Sequence, residues 1–150
     1  YPHIRTCVLR PVNVLGYYVH SMIGEYLRQQ RVPTVMGFDP MMQFIHEEDV
    51  SEAIALTLQH GLQGVFNVVG PGAVPVSVAI REAGSTALPM PEPLMRPLID
   101  RFFRWGIVPY PAGAMDYIKY PVTLSGKRFV DATGFRPLFG LEEIFHSVRR

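Results

Sequence analysis

The 150-residue chain holds a single cysteine, Cys7. With no second cysteine an intrachain disulfide is excluded, which suits a reducing compartment. Inside the apolar run Cys7-Val8-Leu9 the thiol reads as a small buried hydrophobe. An excess of either charge is also missing: 14 Lys and Arg against 13 Asp and Glu leave a net charge of +1. No overall field therefore favours nucleic acid or an acidic surface. No apolar run nears the roughly 20 residues needed to span a bilayer, and the N-terminus lacks the secretory pattern. A cytoplasmic protein, with neither nucleic acid nor membrane as partner, is the default expectation.

Several catalytic signatures are missing too. There is no G-x-G-x-x-G and no P-loop; Gly70-Pro71-Gly72 follows a strand-like run but has no third glycine, and reads as a turn. His46-Glu47 begins like H-E-x-x-H, but Val50 stands where the second ligand belongs. His3, His20, His60 and His146 show no ligand spacing, so no metal site is expected. No G-x-S-x-G elbow occurs. Tyr1 and Arg5 only approximate a Tyr-x-x-x-Lys pair, just ahead of a strand. No catalytic residue is assigned, and no complete active site is expected in these residues alone.

What is present is a chain 48% hydrophobic and 18% charged, the composition of about one globular domain. Ile4 to Leu9 and Val65 to Val69 are short, β-rich and nearly continuous in apolar residues, as in parallel strands covered on both faces. Such strands need neighbours and crossover helices. Only two are legible, so the expectation is one unit, 1–150, that belongs to a larger α/β fold. Val19, Met22, Ile23, Tyr26 and Leu27 predict a helix over about 18–30, and Val50, Ala53, Ile54, Thr57 and Leu58 a second. Glu47, Glu48 and Asp49 suit the start of that second helix and Gly61 its end. Thr34–Met36 and Gln43–Ile45 read as short extended pieces. A last helix begins near Gly140, with Leu141, Ile144, Phe145 and Val148 inward.

Six prolines between Pro89 and Pro111 break the next region into short elements. A helix near 94–105 is expected, with Leu94, Leu98, Phe102 and Trp105 on one side and Arg96, Arg101 and Arg104 interleaved. A basic, aromatic helix can serve a membrane or a nucleic acid. Met95, Ile99 and Phe103 make this one apolar around most of its circumference, which favours packing.

Four segments, in order, resemble the C-terminal half of extended short-chain dehydrogenases/reductases, the NAD-dependent epimerase/dehydratase family. They are Arg10-Pro11-Val12-Asn13-Val14-Leu15-Gly16, Phe44-Ile45-His46-Glu47-Glu48-Asp49 through Ala53, Gly64–Gly70, and Asp131–Leu138 with Leu141-Glu142-Glu143. The resemblance implies the last parallel strands of a Rossmann-like NAD(P)-binding α/β fold plus a small substrate-binding region. It implies NAD or NADP as cofactor, held mainly by an absent N-terminal half that carries the glycine loop and the Tyr-x-x-x-Lys pair. That half, a small-molecule substrate such as a nucleotide sugar, and a second copy of the parent protein would be the partners.

By the same resemblance Pro11 and Val12 would wall the nicotinamide and Asn13 would orient the substrate; a turn residue bonding its own backbone is the plainer reading of Asn13. Ligands in open parallel sheets bind beyond the carboxyl ends of the strands, as this placement requires. For His46 and Asp49 the preferred role is to satisfy free helix amides. Nucleotide-sugar epimerases place a diphosphate-gripping Arg where this chain has Met42; Arg28, Arg31 or Arg136 could stand in. Met36, Met41 and Met42 would line an adaptable apolar pocket or pack a core. Two rival readings are a non-catalytic ligand sensor or scaffold of the same fold, and a free-standing interaction module built on 89–111.

Overall fold

The computed structural model describes residues 5–108 and 110–149. Seven strands among these described residues form three small groups. β1 (Cys7–Pro11) runs parallel to β5 (Gly64–Val68), and β2 (Asn13–Leu15) runs parallel to β4 (Met41–His46). β4 also pairs antiparallel with β6 (Ala73–Pro75), while β3 (Arg31–Val35) runs parallel to β7 (Thr86–Met90). Six α-helices accompany them: α1 (Met22–Leu27), α2 (Glu47–Gln59), α3 (Val76–Glu82), α4 (Glu92–Arg104), α5 (Lys127–Thr133) and α6 (Leu141–His146). A 3₁₀ turn spans Ala112–Asp116. The α/β class and the parallel strands agree with the sequence.

β1 and β2 are almost one continuous strand. Val12 separates them, and its N–H donates to the carbonyl of Val68 at 3.1 Å. The chain thus leaves β5 at Pro11 and takes up β4 at Asn13. The return strand passes β4 closely: a Cβ on Gly70 would stand 1.9 Å from the carbonyl oxygen of Phe44.

Where sequence and structure differ, the reasons are local. The first strand is Cys7–Pro11 rather than Ile4–Leu9; Ile4, with Tyr1 and His3, lies outside the described residues. It is not covered on both faces, for Val8 and its partner Val65 are 45% and 38% exposed, while Cys7 and Leu9 are only half-buried. The first helix is short because Tyr17 and Tyr18 donate their backbone N–H groups to the Glu47 carboxylate, so the chain ahead of Ser21 is held elsewhere. The Ser21 hydroxyl then accepts the Gly24 N–H at 3.1 Å as an N-cap. Within α2, Ala53 and Thr57 face inward as expected, but Ile54 and Leu58 are 50% and 77% exposed. On α4, where the sequence left the inward face open, Met95 and Ile99 are buried while Leu94 and Trp105 are exposed. β7 was not legible among its prolines; Pro89 sits in it opposite Thr34 of β3.

Two hydrophobic clusters result. One gathers α1, α3, α4 and α6 around Leu27, Val32, Met42, Phe44 and Ile80. The other gathers α2 and α5 on β1 and β5 around Ile45, Phe66, Val68, Phe129 and Phe135. As expected, Ile144, Phe145 and Val148 of the last helical segment are buried.

Candidate functional site

The site is built at the switch from β5 to β4. Pro11 ends β1 exposed, and Val12 is half-buried against the second cluster. Asn13 opens β2, half-buried, and its side-chain Nδ2 donates to the carbonyl oxygen of Gln43 at 2.9 Å. Asn13 therefore braces a neighbouring strand rather than its own turn. Its Oδ1 accepts from the hydroxyl of Tyr117, more than a hundred residues away.

Gln43 is the hub. Its side chain is nearly buried, donates to the carbonyl of Leu124 at 3.1 Å and accepts the Leu124 N–H at 2.7 Å. A primary amide paired both ways with a peptide group mimics one backbone pairing, so the 117–125 segment is tied to β4 through these two bonds at Leu124. Asn67 on β5 extends this by donating to the Ser125 carbonyl at 3.3 Å. Burial is the leading influence on the Tyr117 hydroxyl and pushes its pKa above the usual phenol value, while the bond to Asn13 acts the other way.

A second polar group lies on the same segment. Lys119 Nζ meets Glu92 of α4 at 2.8 Å and stands 4.8 Å from the ring centroid of Phe38, in the β3–β4 turn. Glu92, largely through its bond to Lys119, has its pKa held below the ordinary carboxylate range. Lys119 is thereby neutralised in place. Arg28, offered by the sequence as a phosphate grip, instead donates to the carbonyls of Gly16 (2.7 Å) and Val19 (3.3 Å) and pairs with Glu25. Arg31 and Arg136 are exposed.

The three methionines divide. Met36 is 57% and Met41 40% exposed, whereas Met42 is fully buried in the first cluster. Met42 reaches no open space, because both faces of β4 are covered; it packs the core and stands apart from the switch-point surface. His46 and Asp49 have structural tasks. His46 Nδ1 accepts the Glu48 N–H at 3.3 Å as the N-cap of α2, and the ring stacks on Phe139. Asp49 serves a distant amide, that of Leu138, rather than its own helix.

The sequence reading missed Gln43, Tyr117 and Lys119 as site residues. Only the position of Gln43, two residues before Ile45 in the aromatic-Ile-His segment, carried any signal. An open cleft of about 620 Å³ lies at the start of β1, lined by Thr6, Cys7, Ile54 and Leu58, whereas Asn13 follows the end of that strand. Among the described residues no group of three or more His, Cys, Asp and Glu could hold a metal ion. No helix among them is long and apolar enough to cross a membrane.

No family model matches the chain. Among curated proteins, uncharacterized proteins of Mycobacterium tuberculosis and Mycobacterium bovis are each 34% identical over 90 residues, which is 60% of this chain and 24% of theirs. The match thus spans about a quarter of those relatives. Solved structures align with nearly the whole chain. The RMD protein of Pseudomonas aeruginosa, complexed with NADPH, gives a TM-score of 0.65 at 18% identity, covering 96% of this chain and 47% of that one. UDP-glucose 4-epimerase of Thermus thermophilus, complexed with NAD, gives 0.63 at 21% identity, covering 97% and 45%. A Helicobacter pylori ADP-L-glycero-D-manno-heptose-6-epimerase gives 0.61 at 15% identity, covering 95% and 42%. At these identities the likeness establishes the fold: mixed α/β with parallel strands, matching slightly under half of each Rossmann-like neighbour.

Proposed function

We propose that this chain is the C-terminal, substrate-side half of an NAD(P)-dependent oxidoreductase of the epimerase/dehydratase kind, acting on a nucleotide sugar or a related hydroxyl compound. The observation that carries the reading is the strand switch at Pro11–Asn13. There an exposed proline, a half-buried valine and an amide bonded across to the Gln43 carbonyl lie at the carboxyl end of β1, near the general position of ligands in such sheets.

The residues present fit one part of a nicotinamide site. Pro11 and Val12 are both apolar, one exposed and one half-buried, which suits contact with a ring face. They offer no phosphate cradle, which belongs to the glycine loop of the N-terminal half. When bound, the nicotinamide would exchange a hydride with a substrate carbinol carbon. This chain's part is to hold the substrate: Asn13 orients it through the amide valence left free, and the 117–125 segment closes its side. Removal of the hydroxyl proton falls to the Tyr-x-x-x-Lys pair of the other half. With Met42 buried, Arg28 tied to carbonyls and Lys119 paired to Glu92, a diphosphate would be gripped chiefly by that half as well. The face of β1 and β5 carrying Val8 and Val65 is exposed, apolar surface that a covering layer from the other half would bury.

Native mass spectrometry of the purified protein tests this. A species well above 16.9 kDa that contains a second polypeptide and releases NAD or NADP on denaturation is the expected result. A bare 16.9 kDa monomer without cofactor would require the reading to be withdrawn.

A further inference from the structure

The bonds around Asn13 fix which way its carboxamide points. The carbonyl of Gln43 can only accept, so the Asn13 atom 2.9 Å from it must be Nδ2. Oδ1 is then the atom facing Tyr117, and the phenol must donate to it. A carboxamide has two N–H donors and two acceptor lone pairs. After these two bonds one N–H and one lone pair remain on Asn13, and the phenol oxygen keeps its own acceptor capacity. Asn13 is half-buried and Tyr117 is 36% exposed, so this residual valence can be reached from solvent.

Tyr117 is itself held on both sides. Before it, Asp116 pairs with Arg96 of α4; after it, Lys119 pairs with Glu92 at the start of the same helix, and Leu124 is bonded twice to Gln43. At neutral pH the phenol is protonated, as an ordinary tyrosine is, so it remains a donor, and burial pushes its pKa further up. The hydroxyl therefore cannot swing away cheaply, and the carboxamide cannot flip without losing a bond at each end.

Resting on the function proposed above, we infer that Tyr117 is a positioning residue that locks the Asn13 carboxamide, and that the locked pair binds a hydroxyl group of the ligand. A hydroxyl both gives and takes a hydrogen bond, as does the valence left free here: an N–H to donate, and lone pairs on Asn13 and Tyr117 to accept. A carboxylate or phosphate, which can only accept when ionised, would meet two acceptor oxygens at the same place and be disfavoured. The hydroxyl-bearing end of a polyol or sugar is the ligand class that fits.

The test uses the protein as isolated, with any companion polypeptide, and UDP-glucose as probe. Nitrogen-15 spectra identify the Asn13 side-chain amide by its loss in Asn13→Ala; Tyr117→Phe should shift those signals. UDP-glucose affinity, by calorimetry, should fall roughly five- to tenfold in Tyr117→Phe, the worth of about one net hydrogen bond. The same change in an Asn13→Ala background should cost far less, since the two act as a unit. Unmoved Asn13 signals would overturn the positioning role. Unchanged affinity, or losses that simply add, would show a bond with no part in ligand binding and overturn the inference. If the unmutated protein ignores UDP-glucose, the nucleotide-sugar reading falls and the hydroxyl assignment with it, while the spectra still decide whether Tyr117 holds Asn13.

Discussion

Asp49 Oδ1 accepts the backbone N–H of Leu138 at 2.7 Å, joining residues 89 apart in sequence. The carboxylate is wholly buried, and its other oxygen, Oδ2, has no partner among the described residues. Next to this bond His46 stacks on Phe139 with ring centroids 4.0 Å apart. Two of the sequence motifs, the one ending β4 and the one preceding α6, are thus halves of a single joint. Removing the carboxylate takes away the Leu138 N–H's acceptor and leaves a hole in the core, so Asp49→Ala should lower stability by about 1 kcal/mol or more in a urea titration, with hydrogen exchange at Leu138 accelerating before the rest of the chain. Equal acceleration everywhere would mean the joint is not a local one. Asp49→Asn keeps an acceptor and should cost less in the same urea titration.

Gly70 marks a closer approach. Because a Cβ there would stand 1.9 Å from the Phe44 carbonyl oxygen and 2.9 Å from its carbon, backbone would have to move. Gly70→Ala should cost at least about 3 kcal/mol, the upper end of ordinary overpacking. Gly37, at φ +85° with nothing within 4 Å, supplies the control: Gly37→Ala should cost only about 1–2 kcal/mol, from backbone conformation alone. Comparable denaturant midpoints for the two variants would contradict the crossing of the return strand over β4.

These cases show what a sequence can and cannot disclose. Residues that serve their own element were legible: Glu47, Glu48 and Asp49 announced the start of α2, and Ile144 and Phe145 the inward side of α6. Asn13 stood out through its motif. Its partners did not, because Gln43 lies 30 residues away, Tyr117 104, and Leu124 81 from Gln43. Nothing in local periodicity records such pairings. For Met42 the sequence left pocket and core both open, for a related reason. A methionine where a cation was expected suggests an apolar pocket, but β4 is covered on both faces by elements whose position only the fold reveals.

Tyr26 gives the chain an alkaline limit. Its ring is buried, its hydroxyl donates to the Pro33 carbonyl at 2.8 Å, and it meets Tyr110 edge-on with centroids 6.1 Å apart. Burial, then the neighbouring Tyr110, raises the Tyr26 pKa far above the usual phenol value; burial also raises that of Tyr110, against a smaller opposite effect of Gln29. The unfolded chain releases these protons near pH 10, whereas the folded chain retains them. Folded protein therefore binds more protons above that pH, and stability falls as pH rises. Urea midpoints should hold steady to about pH 10 and decline beyond it. Tyr26→Phe should lower stability by about 1 kcal/mol at neutral pH through the lost bond yet flatten the alkaline decline. An equally steep decline in that variant would place its source elsewhere.

The face that α4 turns inward is open to a direct check. Apolar residues surround this helix, so their spacing could not choose between the side of Leu94 and Trp105 and the side of Met95 and Ile99. Packing against the Ala112–Asp116 turn and β3 selects the second: Met95 and Ile99 are 0% and 3% exposed, while Leu94 and Trp105 are each 59% exposed. The Arg101 guanidinium covers the Trp105 ring at 4.6 Å, so the indole is shielded by a cation rather than by core. Met95→Ala should then cost about 2–5 kcal/mol, as for a buried methionine, and Leu94→Ala less than about 0.5–1 kcal/mol. Trp105 is the only tryptophan, so native fluorescence reports on it alone and should be readily quenched by iodide. Protection from quencher together with a costly Leu94→Ala would turn the helix about its axis and bury the opposite side.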